Sequence, residues 1–186
     1  MCYEEIVEII KMVTGLEVPV YFNDLEATGS PYFGLGEHSW DIMPEEFMDC
    51  PFCDVEDFIE NKHLHYYHVG LPSKILRKNE EYIYRVTSEQ LKQSGIKIRL
   101  TELLMETFII LHEFGHAHQL YISYNGDVEK YMCDTSSVSQ SNSYMIKADG
   151  LAGTERGLLM HKELSTEKYA DNFALKYFKQ VAELVK

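Results

Sequence analysis

The sequence predicts an α+β fold in which an N-terminal helix and a small antiparallel sheet precede a long central helix and a C-terminal helix packed on it. Three observations predict this arrangement: apolar residues at helical spacing near the N-terminus, short alternating segments before residue 100, and sustained helical patterns after it. A chain of 186 residues is long enough to bury one core. We therefore expect one domain spanning 1–186, with a helix-plus-sheet lobe (1–100) and a helical lobe (101–186).

The first hundred residues favour one helix and several strands. Residues 3–13 place apolar side chains at roughly helical spacing, and Gly15 is a natural stop. Glycines and prolines punctuate residues 23–60, which we expect to be irregular. Four segments are typical of strands: VPVYF (18–22), LHYYHVGL (64–71), EYIYRV (81–86) and IKIRL (96–100).

The second half predicts two helices. The run ELLMETFIILHEFGHAHQLYISY follows Thr101, a residue type that caps helix N-termini, and precedes Asn125 and Gly126, which end helices. Residues 127–157 contain serine-rich and glycine-containing stretches, which predict a loop or a mobile flap. A helical pattern returns at about Leu158 and continues to the end of the chain.

The composition limits the classes of partner. A formal net charge of −13 repels phosphate backbones and acidic membrane surfaces, so we expect neither nucleic-acid nor membrane binding. No apolar run approaches the roughly 20 residues of a transmembrane helix, and the stretch MCYEEIVEIIKMV lacks the basic start of a secretion signal. Four cysteines do not make a disulfide framework in a chain of this length, so we expect a reducing, cytoplasmic location.

The central helix carries the pattern H-E-x-x-H, formed by His112, Glu113 and His116. Residues four apart share one face of a helix, so both imidazoles can reach one ion. Glu113 is rotated by about 100° and would flank the ion rather than bind it. From there it can take a proton from a water molecule that zinc has acidified. The pattern predicts one catalytic Zn²⁺; the alternative is a core helix that happens to carry surface histidines.

A catalytic zinc ion keeps three protein ligands and one open position, so a third ligand is needed. The segment STEKYADNFA offers Glu167, and Asp171 one turn later can accept the second ring N–H of a ligand histidine. Small residues in both helices would allow a close approach: Gly115, Ala117, Ala170 and Ala174. The alternative is two exposed acids on an amphipathic helix, with His161 and Glu163 as reserve ligands.

HEFGH followed by EKYAD resembles the gluzincin metallopeptidases, whose pattern is H-E-x-x-H and then E-x-x-[AS]-[DN]. Among small cytoplasmic members, LHEFGHAHQL and EKYADNFAL are most similar to the ImmA/IrrE-type peptidases of bacteria and mobile elements. The resemblance covers residues 111–120 and 166–175. It implies a zincin-like fold and a peptide or protein substrate, since such proteins are known or proposed to cleave regulators. The roles it implies are zinc ligands for His112, His116 and Glu167, catalytic base for Glu113, and partner of a ligand histidine for Asp171.

Peptide hydrolysis also needs a donor to the developing oxyanion and a surface that holds the substrate. Tyr131, Tyr144 and His161 lie between the two motifs, and we choose Tyr144 as the catalytic donor. An extended substrate often pairs with a sheet edge, and EYIYRV is the candidate edge. His118, six positions after His112, lies off the metal-facing stripe and is expected to be an ordinary histidine.

Other interpretations stay open. Cys50 and Cys53, followed by His63, His65 and His68, are compatible with a second, structural zinc, and reduced thiols are the simpler interpretation. A non-catalytic protein that keeps a gluzincin fold for binding, as an immunity, anti-defence or regulatory factor, is the alternative to an enzyme. A structural domain with a chance motif is a third. The sequence predicts neither cleavage specificity nor oligomeric state.

Overall fold

The protein is an α+β structure, seen in a computed structural model that describes residues 1–29, 31–39, 63–75 and 81–185. Within these residues lie six helices and a three-stranded sheet, so the predicted fold class is confirmed. The elements in chain order are α1 (Tyr3–Thr14), β1 (Val20–Gly29), β2 (Tyr32–Ser39), β3 (His63–Ile75), α2 (Glu81–Gln93), α3 (Glu102–Tyr124), α4 (Val128–Ala148), α5 (Glu155–Lys162) and α6 (Ser165–Leu184).

The sheet has the strand order β1–β3–β2 and is mixed, whereas the sequence predicts a mostly antiparallel one. The central strand β3 runs parallel to β1, with Val69 opposite Val20, and antiparallel to β2, with Val69 opposite Phe33. The prediction fails because β1 and β2, although consecutive in the chain, do not pair with each other; β3 lies between them. Val69 and Leu71 of β3 join the sheet to the helical core.

The contact between α3 and α6 positions both sequence motifs. A Cβ added to Gly115 would lie 2.7 Å from the Cα of Ala170, so glycine is what lets the two backbones approach. Farther along the same two helices, Phe108 and Phe178 pack edge to face, with ring centroids 5.3 Å apart. The close approach predicted from the small residues is therefore found, and it brings α3 against the first turns of α6.

The ends of α3 follow from local side-chain chemistry. The Thr101 hydroxyl accepts a hydrogen bond from the Leu104 amide at 3.3 Å and caps the N-terminus. Asn125 adopts a left-handed conformation with φ of 55°, and its amide donates to the Leu120 carbonyl. Gly15, with φ of 67°, ends α1 in the same manner. All three boundaries agree with the sequence prediction.

Burial within the protein explains the apolar character of α3. Met105, Ile110 and Leu111 have no exposed surface, and residues from α1, β3 and α6 cover the helix. Across the described ranges, we find no helix with both the length and the apolar character needed to cross a membrane.

Two segments predicted as strands are corrected by the structure. EYIYRV begins helix α2, in which the buried Val86 and Leu91 follow helical spacing. Six residues are too few to distinguish that spacing from alternation. IKIRL does alternate, since Ile96, Ile98 and Leu100 pack on the core while the two residues between them, Lys97 and Arg99, are exposed. It nevertheless pairs with no strand of the described sheet.

The segment predicted as a loop or flap, 127–157, is largely helical. Helix α4 begins after Asp127, whose carboxylate accepts a hydrogen bond from the Lys130 amide at 2.9 Å. The prediction was wrong because most side chains of α4 are exposed and therefore need not be apolar. The region 23–60, predicted to be irregular, contains the end of β1 and all of β2, and residues 40–62 lie outside the described part of the chain.

Candidate metal centre

Three side chains from two helices converge where α3 meets α6. His112 and His116 lie one turn apart on α3, and Glu167 lies in the first turn of α6. One ligand atom from each lies within 4.8 Å of the other two. Glu167 Oε2 is 3.2 Å from His112 Nε2, and Glu167 Oε1 is 3.6 Å from His116 Nε2. The structure thus brings together the three residues predicted as metal ligands.

The spacing of these atoms is compatible with three ligands of one metal ion. Two donors bound at about 2.0–2.1 Å to a tetrahedral ion lie about 3.3 Å apart. The distances of 3.2 Å from His112 Nε2 to Glu167 Oε2 and of 3.6 Å from His116 Nε2 to Glu167 Oε1, the other carboxylate oxygen, are close to that value. The three side chains are 10% to 13% exposed, so they are shielded from bulk solvent without being sealed. Two imidazoles and one carboxylate therefore form a donor set that fits a divalent metal ion.

Asp171, on the second turn of α6, orients the ring of His112. Its Oδ1 lies 2.9 Å from Nδ1 of His112, and the residue is 5% exposed. When the imidazole is neutral, this contact keeps the proton on Nδ1 and leaves the lone pair of Nε2 facing Glu167 and His116. Asp171 lies at the position that the sequence pattern indicates for the partner of a ligand histidine.

The two imidazoles have opposite electrostatic surroundings. Burial lowers the pKa of His112, but hydrogen bonds with Asp171 and Glu167 outweigh burial and raise that pKa to about 9. Burial and the neighbouring His112 charge together lower the pKa of His116 to about 4. In the metal-free protein at neutral pH, His112 is an imidazolium between two carboxylates and His116 is neutral. The proton on His112 Nε2 lies where a cation would bind.

The two glutamates of the site also differ. Burial raises the pKa of Glu167, but hydrogen bonds from His112 and His161 outweigh burial and hold the pKa well below its ordinary range. Burial raises the pKa of Glu113 to about 7, although the charge of His112 opposes the shift. The backbone amide of Phe33, on β2, donates a hydrogen bond to Glu113. Glu167 is thus an anion suited to bind a cation, and Glu113 exchanges a proton near neutral pH.

A cavity of about 490 Å³ opens over the three converging side chains and Glu113. That volume lies within the range of ligand-binding pockets. Part of its lining is apolar: Ile75, Ile83, Phe108, Ile109 and Leu158. Another part carries hydroxyl or imidazole groups: Tyr131, Thr135, Ser139, His161 and Thr166. The cavity therefore offers both apolar contacts and hydrogen-bonding groups beside the candidate metal centre.

Tyr131 and His161 reach this cavity, whereas Tyr144 does not. Tyr131 is 4% exposed; burial and the charge of Glu167 raise the pKa of its phenol, so the hydroxyl stays protonated. His161 Nε2 lies 3.3 Å from Glu167 Oε2. Tyr144, the catalytic donor predicted from the sequence, is 74% exposed and does not line the cavity. Thirteen positions after Tyr131, it is rotated by about 220° around the axis of α4.

The other site predictions concern His118 and the cysteines. His118 lies outside the metal centre, and its Nδ1 is 2.9 Å from the Tyr169 hydroxyl, as expected for an ordinary histidine. Cys50 and Cys53 lie outside the described residues, so the second-zinc interpretation stays a prediction. Cys2 and Cys133 are free and exposed.

No family model, no curated protein and no solved structure matches this chain.

Proposed function

We propose that this protein is a zinc-dependent metallopeptidase that hydrolyses a peptide bond in a peptide or protein substrate. The observation that supports this most strongly is the convergence of His112, His116 and Glu167 beside Glu113 in one cavity. Two histidines and a glutamate, with one position left open, form a known donor set of catalytic zinc. A chance motif on a structural helix would not account for a carboxylate from a second helix at ligand distance.

Glu113 is the proposed general base. When bound, zinc would supply Lewis-acid chemistry, since it polarises a carbonyl group and lowers the pKa of water. Glu113 takes a proton from the attacking water and passes it to the amine nitrogen as the C–N bond breaks. The hydrogen bond from the Phe33 amide holds the carboxylate in place for this transfer.

Tyr131 and His161 are the proposed donors to the oxyanion that develops on the substrate carbonyl. Both line the cavity, and both interact electrostatically with Glu167, so they lie close to the metal centre. A protonated phenol and an imidazole N–H each donate a hydrogen bond that strengthens as negative charge develops. Removal of one such donor costs about 100- to 1000-fold in kcat in a well-studied protease.

The substrate is proposed to bind as an extended strand along β2. Among the described strands, β2 lies at one edge of the sheet, and its residues Tyr32 and Phe33 line the cavity. The Phe33 amide donates to Glu113, so this side of β2 faces the site. An unpaired strand edge offers backbone groups to a peptide. EYIYRV, the edge strand predicted from the sequence, is excluded from this role because it is helical.

The class of partner follows from charge. With a formal net charge of −13, the protein repels nucleic acids and acidic membrane surfaces and favours neutral or basic polypeptides. We propose such a polypeptide as substrate. The rival proposal, a non-catalytic binding or regulatory protein, would keep the ligand residues but would not use Glu113.

The test combines metal analysis with a cleavage assay. Purified wild-type protein is expected to hold one zinc ion per chain and to cleave members of a degenerate library of fluorescence-quenched decapeptides. Glu113→Gln should retain the zinc and lose cleavage, because the amide cannot accept the proton. Glu183→Gln, at an exposed position of α6, is the matched control and should remain active. Stoichiometric zinc without turnover on the library or on a digest-derived peptide pool would favour the binding protein, and absence of zinc would refute the metal centre.

A further inference from the structure

Asp171 contacts two residues besides His112. Lys162 Nζ lies 2.8 Å from each of the two carboxylate oxygens of Asp171. Gln90 donates a hydrogen bond from Nε2 to Oδ2 of Asp171 at 2.7 Å. Donors from three helices, α2, α3 and α5, thus meet on one carboxylate of α6.

The pair formed by Lys162 and Asp171 lies in the wall between two cavities. Both residues line the cavity over the metal centre, and both line a second cavity of about 650 Å³ bounded by α2, α5 and α6. Their side chains are 15% and 6% exposed. A buried ion pair adds little net stability because desolvation opposes the attraction, so stability alone does not explain its presence beside the metal centre.

Only one of the two polar atoms of the Gln90 amide has a hydrogen-bond partner within the described residues. Its Oε1 is buried and has no hydrogen-bond partner within the described residues, while its Nε2 binds Asp171. A buried acceptor without a partner destabilises a fold, and an apolar side chain of similar length would avoid that cost. The hydrogen bond to Asp171, and not the packing of α2, therefore explains why an amide stands at position 90.

We propose that Lys162 and Gln90 are positioning residues that hold the Asp171 carboxylate for His112. Gln90 occupies Oδ2 and Lys162 bridges both oxygens, so the carboxylate cannot rotate and Oδ1 faces the Nδ1–H of His112. The ring of His112 is then fixed with Nε2 toward the ion. This inference rests on the metal centre of the proposed function and extends it to α2 and α5.

The first test measures zinc affinity by competition with a chelating indicator. Lys162→Met and Gln90→Met each remove one donor and keep the length of the side chain. Because residues that contact a ligand histidine directly account for 10- to 100-fold in metal affinity, we expect losses of about tenfold for Lys162→Met and about threefold to tenfold for Gln90→Met. Lys92→Met and Gln93→Met change exposed residues of α2 in the same manner and should bind zinc like the wild type.

The second test separates positioning from a structural role. In ¹⁵N-resolved NMR spectra of the zinc-loaded wild type, we expect His112 to carry its proton on Nδ1; in both variants this N–H should exchange faster with water. The free energy of unfolding of metal-free Gln90→Met should stay close to that of the wild type, since removal of the unpartnered Oε1 offsets the lost hydrogen bond to Asp171. Wild-type zinc affinity and an unchanged His112 signal in both variants would overturn the inference alone. Failure of the wild type to bind zinc would remove the metal centre itself, and the inference with it.

Discussion

Zinc binding to the metal-free protein is expected to release protons, because a proton on His112 occupies the place of the cation. The His112 pKa of about 9 leaves the imidazole about 99% protonated at pH 7. His116 is neutral and Glu167 is ionised at that pH, so neither contributes a proton. Glu113, with a pKa of about 7, is about half protonated, and a nearby cation would drive off part of that proton. We expect release of about one to one and a half protons per ion at pH 7.

Isothermal titration calorimetry in buffers of different ionisation enthalpy measures this number directly. The slope of observed enthalpy against buffer enthalpy gives the protons released per ion. The apparent zinc affinity should also rise about tenfold per pH unit below pH 9 from the His112 proton alone, and level off above it. The affinity rises with pH because a proton and the metal ion compete for Nε2 of His112, so a smaller protonated fraction leaves more of the protein able to bind the ion.

Asp171→Asn provides the internal comparison. Hydrogen bonding to Asp171 is a principal reason why the His112 pKa is raised, so the variant should release fewer protons per ion at pH 7. Stoichiometric zinc binding by the wild type without proton release at pH 7 would show that His112 is neutral in the free protein. That result would refute the electrostatic reasoning while leaving the metal centre intact.

Three further predictions follow from the same geometry. Gly115→Ala gains up to about 1 kcal/mol in helix propensity, but the added Cβ would lie 2.7 Å from the Ala170 backbone. Because overpacking costs about 1–3 kcal/mol, urea denaturation should show a net loss of stability. Tyr131→Phe should lower kcat by about 100-fold with little change in zinc affinity, whereas Tyr144→Phe should leave the decapeptide cleavage rate unchanged. In the metal-free protein the pKa of His112 is higher in the folded state, about 9, than in the unfolded state, so its protonation stabilises the fold below pH 6.5. This contribution of up to about 3 kcal/mol should be lost as the pH rises from 6.5 to 9, and chemical denaturation at a series of pH values measures the loss.

Features that depend on local chemistry could be predicted from the sequence. The ends of α3 follow from the capping chemistry of Thr101 and Asn125, and the spacing of His112 and His116 fixes their common face. Glu167 could be found because its pattern lies on a helix with small residues that permit a close approach. Each of these features needs at most the geometry of one helix or of one helix pair.

Features that depend on tertiary packing could not be predicted in this manner. Gln90 and Lys162 have no motif, and they matter only because α2 and α5 pack beside Asp171. The choice between Tyr131 and Tyr144 depends on which face of α4 turns toward the cavity, and the polar sequence of α4 shows no apolar stripe that would indicate it. The order of strands in the sheet depends on contacts distant in the chain.

The composition of the site argues against a purely structural ion-pair network. Such a network would need only His112 between Asp171 and Glu167. It would not need His116, a buried neutral imidazole that faces the carboxylate of Glu167. It would not need Glu113 either, a partly buried residue that lines the same cavity. Burial of these polar groups opposes folding unless they are compensated. A divalent cation would compensate them together: it would bind His116 and Glu167, displace the proton from His112, and favour the ionised form of Glu113 that the proposed general base requires.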